Sequence, residues 1–264
     1  MSPALVDIGI NLTDSAFAAD LQEVVAAARA VNVSTLILTG TDQRHSRQAL
    51  QLCQQLGTGM YCTAGVHPHY AKKWDDHHAA AIRELAQQPQ VVAIGETGLD
   101  YNRNLSEPGV QRAVFEQQLL IAVDTGLPLF LHERDALEDQ KRLLTQYRDR
   151  ISGGVAHCFT GTAEAMHTYL QLDLYIGITG WICDERRGTH LRELVKDIPL
   201  NRLMLETDGP YLLPRDLKPK PKSRRNEPKY LPHIAQVVAQ CRNEPVDELI
   251  AATTENAQRL FGLK

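Results

Sequence analysis

Val91-Val-Ala-Ile-Gly95 runs directly into Glu96-Thr-Gly-Leu-Asp100. A short apolar run that stops at a glycine and then at carboxylates reads as a parallel strand with both faces buried, whose carboxyl end opens onto a polar mouth. Seven further runs have the same form: Leu5 to Ile10, Thr35 to Thr39, Tyr61 to Val66, Pro128 to Leu131, Gly154 to Ala156, Leu174 to Ile178 and Leu203 to Leu205. Between them lie segments with helical spacing. Ala49, Leu52, Cys53 and Leu56 form one apolar stripe, and Ile234, Val237, Val238 and Cys241 form another. Strand and helix patterns alternate eight times in 264 residues, close to the usual (β/α)8 length of about 250. The expectation is an α/β chain folded as one (β/α)8 TIM barrel spanning residues 1–264.

Composition bounds the function. Hydrophobic residues make up 43%, enough for a barrel interior and a ring of helices, and no apolar run approaches the roughly 18 residues of a membrane span. Met1 to Val6 lacks the regions of a signal peptide. The five cysteines, Cys53, Cys62, Cys158, Cys183 and Cys241, contain no C-x-x-C pair, which argues against a disulfide scaffold and for a reducing cytoplasm. Strand alternation would send Cys158 to the face opposite His157, away from catalysis. Formal charge is −4, yet Leu213 to Tyr230 carries seven cations against Asp216 and Glu227. Its prolines forbid a continuous helix, so it reads as the long loop after the eighth strand, an address where such barrels commonly bind phosphate.

The strand ends carry the chemistry. Strand four ends at Glu96, strand five at His132, strand six at His157 and strand eight at Glu206-Thr-Asp208. Side chains at the carboxyl ends of barrel strands converge on one axial pocket, so two imidazoles and two carboxylates there make a ligand set for a divalent cation. His67 and His69, just beyond strand three, are placed to hydrogen-bond a phosphate or protonate a leaving oxygen. Arg134 and Arg225 have the planar guanidinium suited to phosphate, or to a neighbouring acid such as Asp135 or Glu227. Trp181 is a candidate stacking platform for an unpaired base. Glu206 shares a strand face with Asp208 and reads as a deeper support or a structural carboxylate. His45, His77, His78, His167, His190 and His233 fall on helices or outer loops and read as background.

These segments together resemble the TatD-type metal-dependent nucleases of the amidohydrolase-like barrel group, nearest to its bacterial branch. The resemblance rests on Asp7-Ile-Gly-Ile-Asn-Leu-Thr13, Ala64-Gly-Val-His-Pro-His69, Ile94-Gly-Glu-Thr-Gly-Leu-Asp100, His157-Cys-Phe-Thr-Gly161, Ile176-Gly-Ile-Thr-Gly-Trp181, Leu205-Glu-Thr-Asp-Gly-Pro-Tyr211 and Arg225-Asn-Glu-Pro228. It implies phosphodiester hydrolysis by a 3′ to 5′ exonuclease on single-stranded DNA or RNA, with no membrane and no obligate protein partner. Glu96, His132 and His157 would hold the metal, Mg²⁺ by family expectation, with Zn²⁺ or Mn²⁺ equally suited to imidazole ligands. Asp208 would be the general base for a metal-activated water. One departure stands out. Many relatives carry His-x-His at the end of strand one, where this chain has Gly9 and Asn11. The expectation is therefore one well-defined metal position and at most a weak second one, built from Asn11 and Asp208. Two other classes compete: a metal-dependent amidohydrolase or esterase, such as a deacylase of aminoacylated RNA, and a nucleic-acid-binding module without turnover.

Overall fold

Eight short strands form a single parallel sheet in chain order: β1 (Leu5–Ile10), β2 (Val33–Leu38), β3 (Met60–Ala64), β4 (Val91–Asp100), β5 (Leu129–Arg134), β6 (Gly154–Ala156), β7 (Tyr175–Ile178) and β8 (Leu203–Leu205). These come from a computed structural model that describes residues 3–263. Asp208 N donates to Gly9 O at 2.8 Å and Asn11 N to Gly209 O at 2.8 Å, so the segment after β8 returns to β1 and the sheet meets itself as a barrel. Closure removes the exposed edges that an open sheet of this size would leave.

The helices follow the strands: α1 (Leu21–Ala30), α2 (Gln43–Leu56), α3 (Asp76–Leu85), α4 (Pro108–Thr125), α5 (Leu137–Tyr147), α6 (Ala163–Gln171), α7 (Thr189–Leu194), α8 (Leu231–Arg242) and α9 (Val246–Phe261). Their ends are set locally. The Asp42 side chain accepts from His45 N to start α2, Asp75 does the same for α3 with His78 N, and Gly126 ends α4 in the left-handed region, satisfying backbone groups that a helix terminus leaves unpaired. The stripe Ala49, Leu52, Cys53 and Leu56 lies against the core from α2.

The barrel interior is filled by side chains from nearly every strand, among them Val6, Ile37, Val92, Phe130, Val155 and Met204. Ala257 and Phe261 of α9 join this cluster, so α9, an addition to the eightfold alternation, helps to fill it. No helix among the described residues is long and apolar enough to cross a membrane.

The strand that opened the sequence reading is longer than its apolar run: β4 continues to Asp100. Its pairing with β5 shifts between Gly95 and Thr97. Glu96 is the extra residue of that bulge, and its N–H donates to Gly40 O at 2.6 Å instead of to the ladder. A bulge re-aims one side chain without ending the strand, and here it places Glu96 in the mouth.

Candidate active site

Residues from separate strand ends meet in a cavity of about 590 Å³. Glu96 is its hub. His132 Nδ1 lies 3.0 Å, His157 Nε2 2.9 Å and His67 Nε2 3.3 Å from the same Glu96 oxygen, Oε1. The three rings arrive from β5, from the residue after β6 and from the loop after β3. Each is oriented by a further partner. His132 Nε2 is 3.1 Å from Asp100 Oδ2, which also lies 2.9 Å from His69 Nε2. His157 Nδ1 is 3.2 Å from Glu206 Oε2, and the His157 ring stacks on Phe130 at 4.5 Å. His67 Nδ1 accepts from His69 N at 3.1 Å. On the β1 side, Asn11 Nδ2 donates to Asp208 Oδ1 at 3.0 Å.

The electrostatics follow from this crowding. Burial alone would push the Glu96 carboxyl up, but His67 and His157, with hydrogen bonds from His132 and His157, hold it well below the usual carboxylate range. Burial works against a charged His157, yet Glu96 and Glu206 outweigh it and raise that imidazole well above its ordinary value. His132 is raised too, because Asp100 and Glu96 overcome its desolvation. His67 goes the other way, pushed down to about 4 by burial despite the pull of Glu96. An ionised carboxylate is thus matched by protons on two imidazoles and faces a third that stays neutral. Three ring nitrogens around a carboxylate oxygen fit a divalent transition-type ion on donor chemistry, and His67, Glu96 and His132 each offer a ligand atom within 4.8 Å of the others. The half-buried Asp208 carboxyl is raised to about 7, by burial first, with His157 opposing and Glu206 and Glu96 adding to the rise.

A family model described as TatD related DNase matches residues 6–262. This chain belongs to the TatD-related DNase family. It is 52% identical over 259 residues to the protein named 3′-5′ ssDNA/RNA exonuclease TatD from Escherichia coli K12, covering 98% of this chain and 99% of that one. The protein of the same name from Klebsiella pneumoniae strain 342 is 53% identical, with 98% of each chain covered. Among solved structures, the TatD homologue YJJV of Escherichia coli K12 superposes with a TM-score of 0.89 at 25% identity over 98% of both chains. A TatD family hydrolase from Entamoeba histolytica gives 0.89 at 27% identity over 99% of both. The fold is the family's (β/α)8 barrel, the family is one of hydrolases acting as nucleases, and a divalent metal accords with it.

In this TatD-family barrel, Glu96, His132, His157, Asp208, His67 and His69 line the same cavity, as do Asn11, Arg134 and Trp181. His67 lies within the cluster, against Glu96. Arg225 is elsewhere. Its guanidinium donates to Asp20 at 2.8 and 2.7 Å, to Glu227 at 3.1 Å and to Ala16 O at 2.6 Å, and it covers the Phe17 ring at 5.2 Å. Those partners saturate it, which corrects the phosphate-contact expectation in favour of an ion pair. Trp181 lines the cavity, but the Arg187 guanidinium lies over its ring at 4.4 Å, so a base would meet that pair and not a bare indole.

Two residues set aside from sequence belong to the cavity wall. His45, read as background, starts α2 beside the mouth and lies 3.3 Å from Thr41 Oγ1. Cys158 shares the cavity with His157 because β6 ends at Ala156 and Cys158 has a left-handed φ of 46°, so strand alternation no longer applies. Its thiol is not an activated nucleophile: burial, then Asp208 and Glu206, push it well above the ordinary value. Asp100, the partner of both His132 and His69, was missed as a functional side chain although it closes the opening stretch of sequence. Its even spacing from Glu96 along β4 was the available signal.

Proposed function

We propose that this chain is a divalent-metal-dependent 3′ to 5′ exonuclease of single-stranded DNA and RNA, cleaving phosphodiesters in the cavity around Glu96. The observation that carries the reading is the convergence of three imidazole nitrogens within 3.3 Å of Glu96 Oε1, with Asp208 in the same cavity. The substrate and polarity are those in the names of relatives at 52% and 53% identity.

Glu96, His132 and His157 would hold the cation, and His67 completes the donor set on this reading. When bound, the cation supplies charge neutralisation at a phosphate and Lewis acidity toward water, with Mg²⁺ as the ion for turnover and Mn²⁺ held more tightly by imidazole. Asp208, the general base, takes a proton from the attacking water. Its raised carboxyl is suited to this because a base works best near the operating pH. Arg134 and Arg103, both on the cavity wall, offer guanidinium donors to the phosphate oxygens. His69, 2.9 Å from Asp100, is held where it can donate to the leaving oxygen. Asn11 orients Asp208 and is at most a weak second-metal ligand. The five free cysteines suit a reducing cytoplasm, which cell fractionation would test.

The deciding experiment uses 5′-labelled single-stranded DNA and RNA with Mg²⁺. Progressive shortening from the 3′ end with release of nucleoside monophosphates is expected, and EDTA or His157→Ala should stop it. Degradation that ignores both treatments, or release of an amino acid from charged RNA with no monophosphate, would replace the exonuclease reading.

A further inference from the structure

A second cavity, about 700 Å³, opens beside the first. Trp181 and Leu212 line both, so the two adjoin across a shared wall. Their linings differ in charge. In the catalytic cavity Asp14, Glu96, Glu133 and Asp208 face Arg103, Arg134 and the imidazoles of His132 and His157, close to balance. The second is lined by Arg186, Arg187, Arg215, Lys220 and Arg224, with Asp184 as its acid.

One carboxylate cannot neutralise five cations. Asp184 is 4% exposed and answers Arg187 at 3.3 Å, Arg186 at 3.6 Å and Arg215 at 3.8 Å. Lys220 and Arg224 are exposed, and neither belongs to any of the ion pairs formed among the described residues. A net positive concavity thus stands in a chain whose formal charge is −4. Gathering like charges in a concave wall focuses positive potential there and repels itself until an anion arrives.

The wall is also closely packed around Trp181. Trp181 Nε1 donates to Arg187 O at 3.3 Å beneath the Arg187 guanidinium. A Cβ at Gly188 would collide with Trp181 O, and one at Gly180 with Leu212 O, so the two glycines let the arginine turn and the basic loop close tightly on the tryptophan. The lining contains no Asn, Gln or Glu side chain, and its exposed cations Lys220 and Arg224 are free to meet phosphates, the sequence-independent part of a strand.

We infer that this second cavity carries the 5′ remainder of the single strand, gripping backbone phosphates upstream of the terminal nucleotide without regard to sequence. The inference rests on the exonuclease reading. An enzyme that removes nucleotides from a 3′ end must hold the rest of the chain clear of the reacting site, and the cationic cleft adjoining it beyond Trp181 is suited to that. Binding there is expected to depend on salt and on strand length, and not on base identity.

The test compares wild type with Lys220→Gln/Arg224→Gln, a double change at exposed side chains. Anisotropy of fluorescein-labelled dT10 in EDTA should show Kd raised about tenfold and the slope of log Kd against log salt reduced by about 1.4, the loss of two phosphate contacts on a single strand. With Mg²⁺, the ratio of kcat/KM on dT10 to that on thymidine 5′-p-nitrophenyl phosphate should fall by a similar factor, because the small ester reaches only the catalytic cavity. An unchanged Kd and salt slope would overturn the inference. So would competition by dTMP or inorganic phosphate as strong as by unlabelled dT10, which would make the cleft a small-anion site. If wild type cleaves neither substrate, the exonuclease reading fails, while the EDTA anisotropy still decides the cleft.

Discussion

Glu206 Oε2 lies 3.2 Å from His157 Nδ1, while Oε1 accepts from Cys158 N. This fully buried carboxylate is wedged between two glycines. A Cβ on Gly9 would collide with Oε2, and one on Gly177 would stand 2.5 Å from Oε1. The space that the first histidine of a His-x-His would need is therefore taken by a carboxylate from β8's end that steadies a candidate ligand.

Restoring the histidines should consequently harm the protein. Gly9→His/Asn11→His is expected to lose about 1–3 kcal/mol through overpacking and to gain no second tightly bound ion. Adding Glu206→Ala should recover part of that stability, giving a non-additive cycle. Urea denaturation and metal stoichiometry check both, and a fully stable Gly9→His/Asn11→His protein binding two ions would contradict the steric account.

Metal affinity should depend on pH. His157 keeps its proton well above the ordinary value, chiefly because Glu96 and Glu206 outweigh its burial, and a ligating ring must be neutral. Affinity for Mn²⁺ should rise by about ten- to a hundredfold per pH unit between 6 and 8 as protons are displaced from His157 and His132. In Glu206→Gln the rise should be shallower, since one charge holding the proton is gone. Calorimetry in buffers of differing ionisation enthalpy counts the protons directly, and pH-independent binding would refute the arrangement.

Asp208→Asn is expected to lower kcat by about 10²–10⁴ while leaving the affinity for dT10 within about threefold. In wild type the carboxyl is raised to about 7, mainly by burial, and a base acts only when ionised. Activity should therefore climb with pH along a limb ending no higher than about 7, lower when a bound cation favours the ionised form. A variant with wild-type kcat removes Asp208 from the chemistry.

Asp7 offers a test of fold energetics. It is fully buried at the barrel seam, accepting from Thr207 N at 2.9 Å and Thr207 Oγ1 at 2.5 Å. Burial raises it to about 7, against the pull of the Thr207 hydrogen bonds. A carboxyl with a higher folded than unfolded value binds more protons when folded, so its contribution is present at low pH and is lost as pH rises from about 4 through 7. Asp7→Asn should remove that fall. The difference between wild-type and variant denaturation midpoints, measured at pH 5 and pH 8 in EDTA, should change in the variant's favour as pH rises, and a constant difference would be inconsistent with a protonated Asp7.

Much of the site was readable along the chain because barrel strands end in the residues that face the mouth. His157 and Asp208 stand just past the ends of β6 and β8, Glu96 and His132 stand within β4 and β5 where the apolar runs stop, and periodicity alone locates those points. His45 lies on a helix as its pattern predicts, but the first turn of that helix stands at the rim of the cavity. Cys158 follows a strand too short for alternation to govern it. Arg225 takes the neighbouring-acid alternative with Glu227 and adds Asp20, which nothing in the sequence brings within reach of it.

From the order of its residues alone, this protein was committed to eight strand and helix alternations, to a cationic loop after the last strand and to a metal-binding vocabulary at the strand ends, since those depend on spacing and side-chain type. Only the closed barrel decided that His67 joins the Glu96 cluster, that Glu206 fills the room beside Gly9, and that the basic residues divide between a paired Arg225 and an open cleft with Arg186 and Arg187. Those outcomes turn on a bulge at Glu96 and on the meeting of β1 with the chain beyond β8, contacts between segments some two hundred residues apart such as Asn11 and Asp208, and periodicity along a chain carries no record of which distant side chains will share a volume.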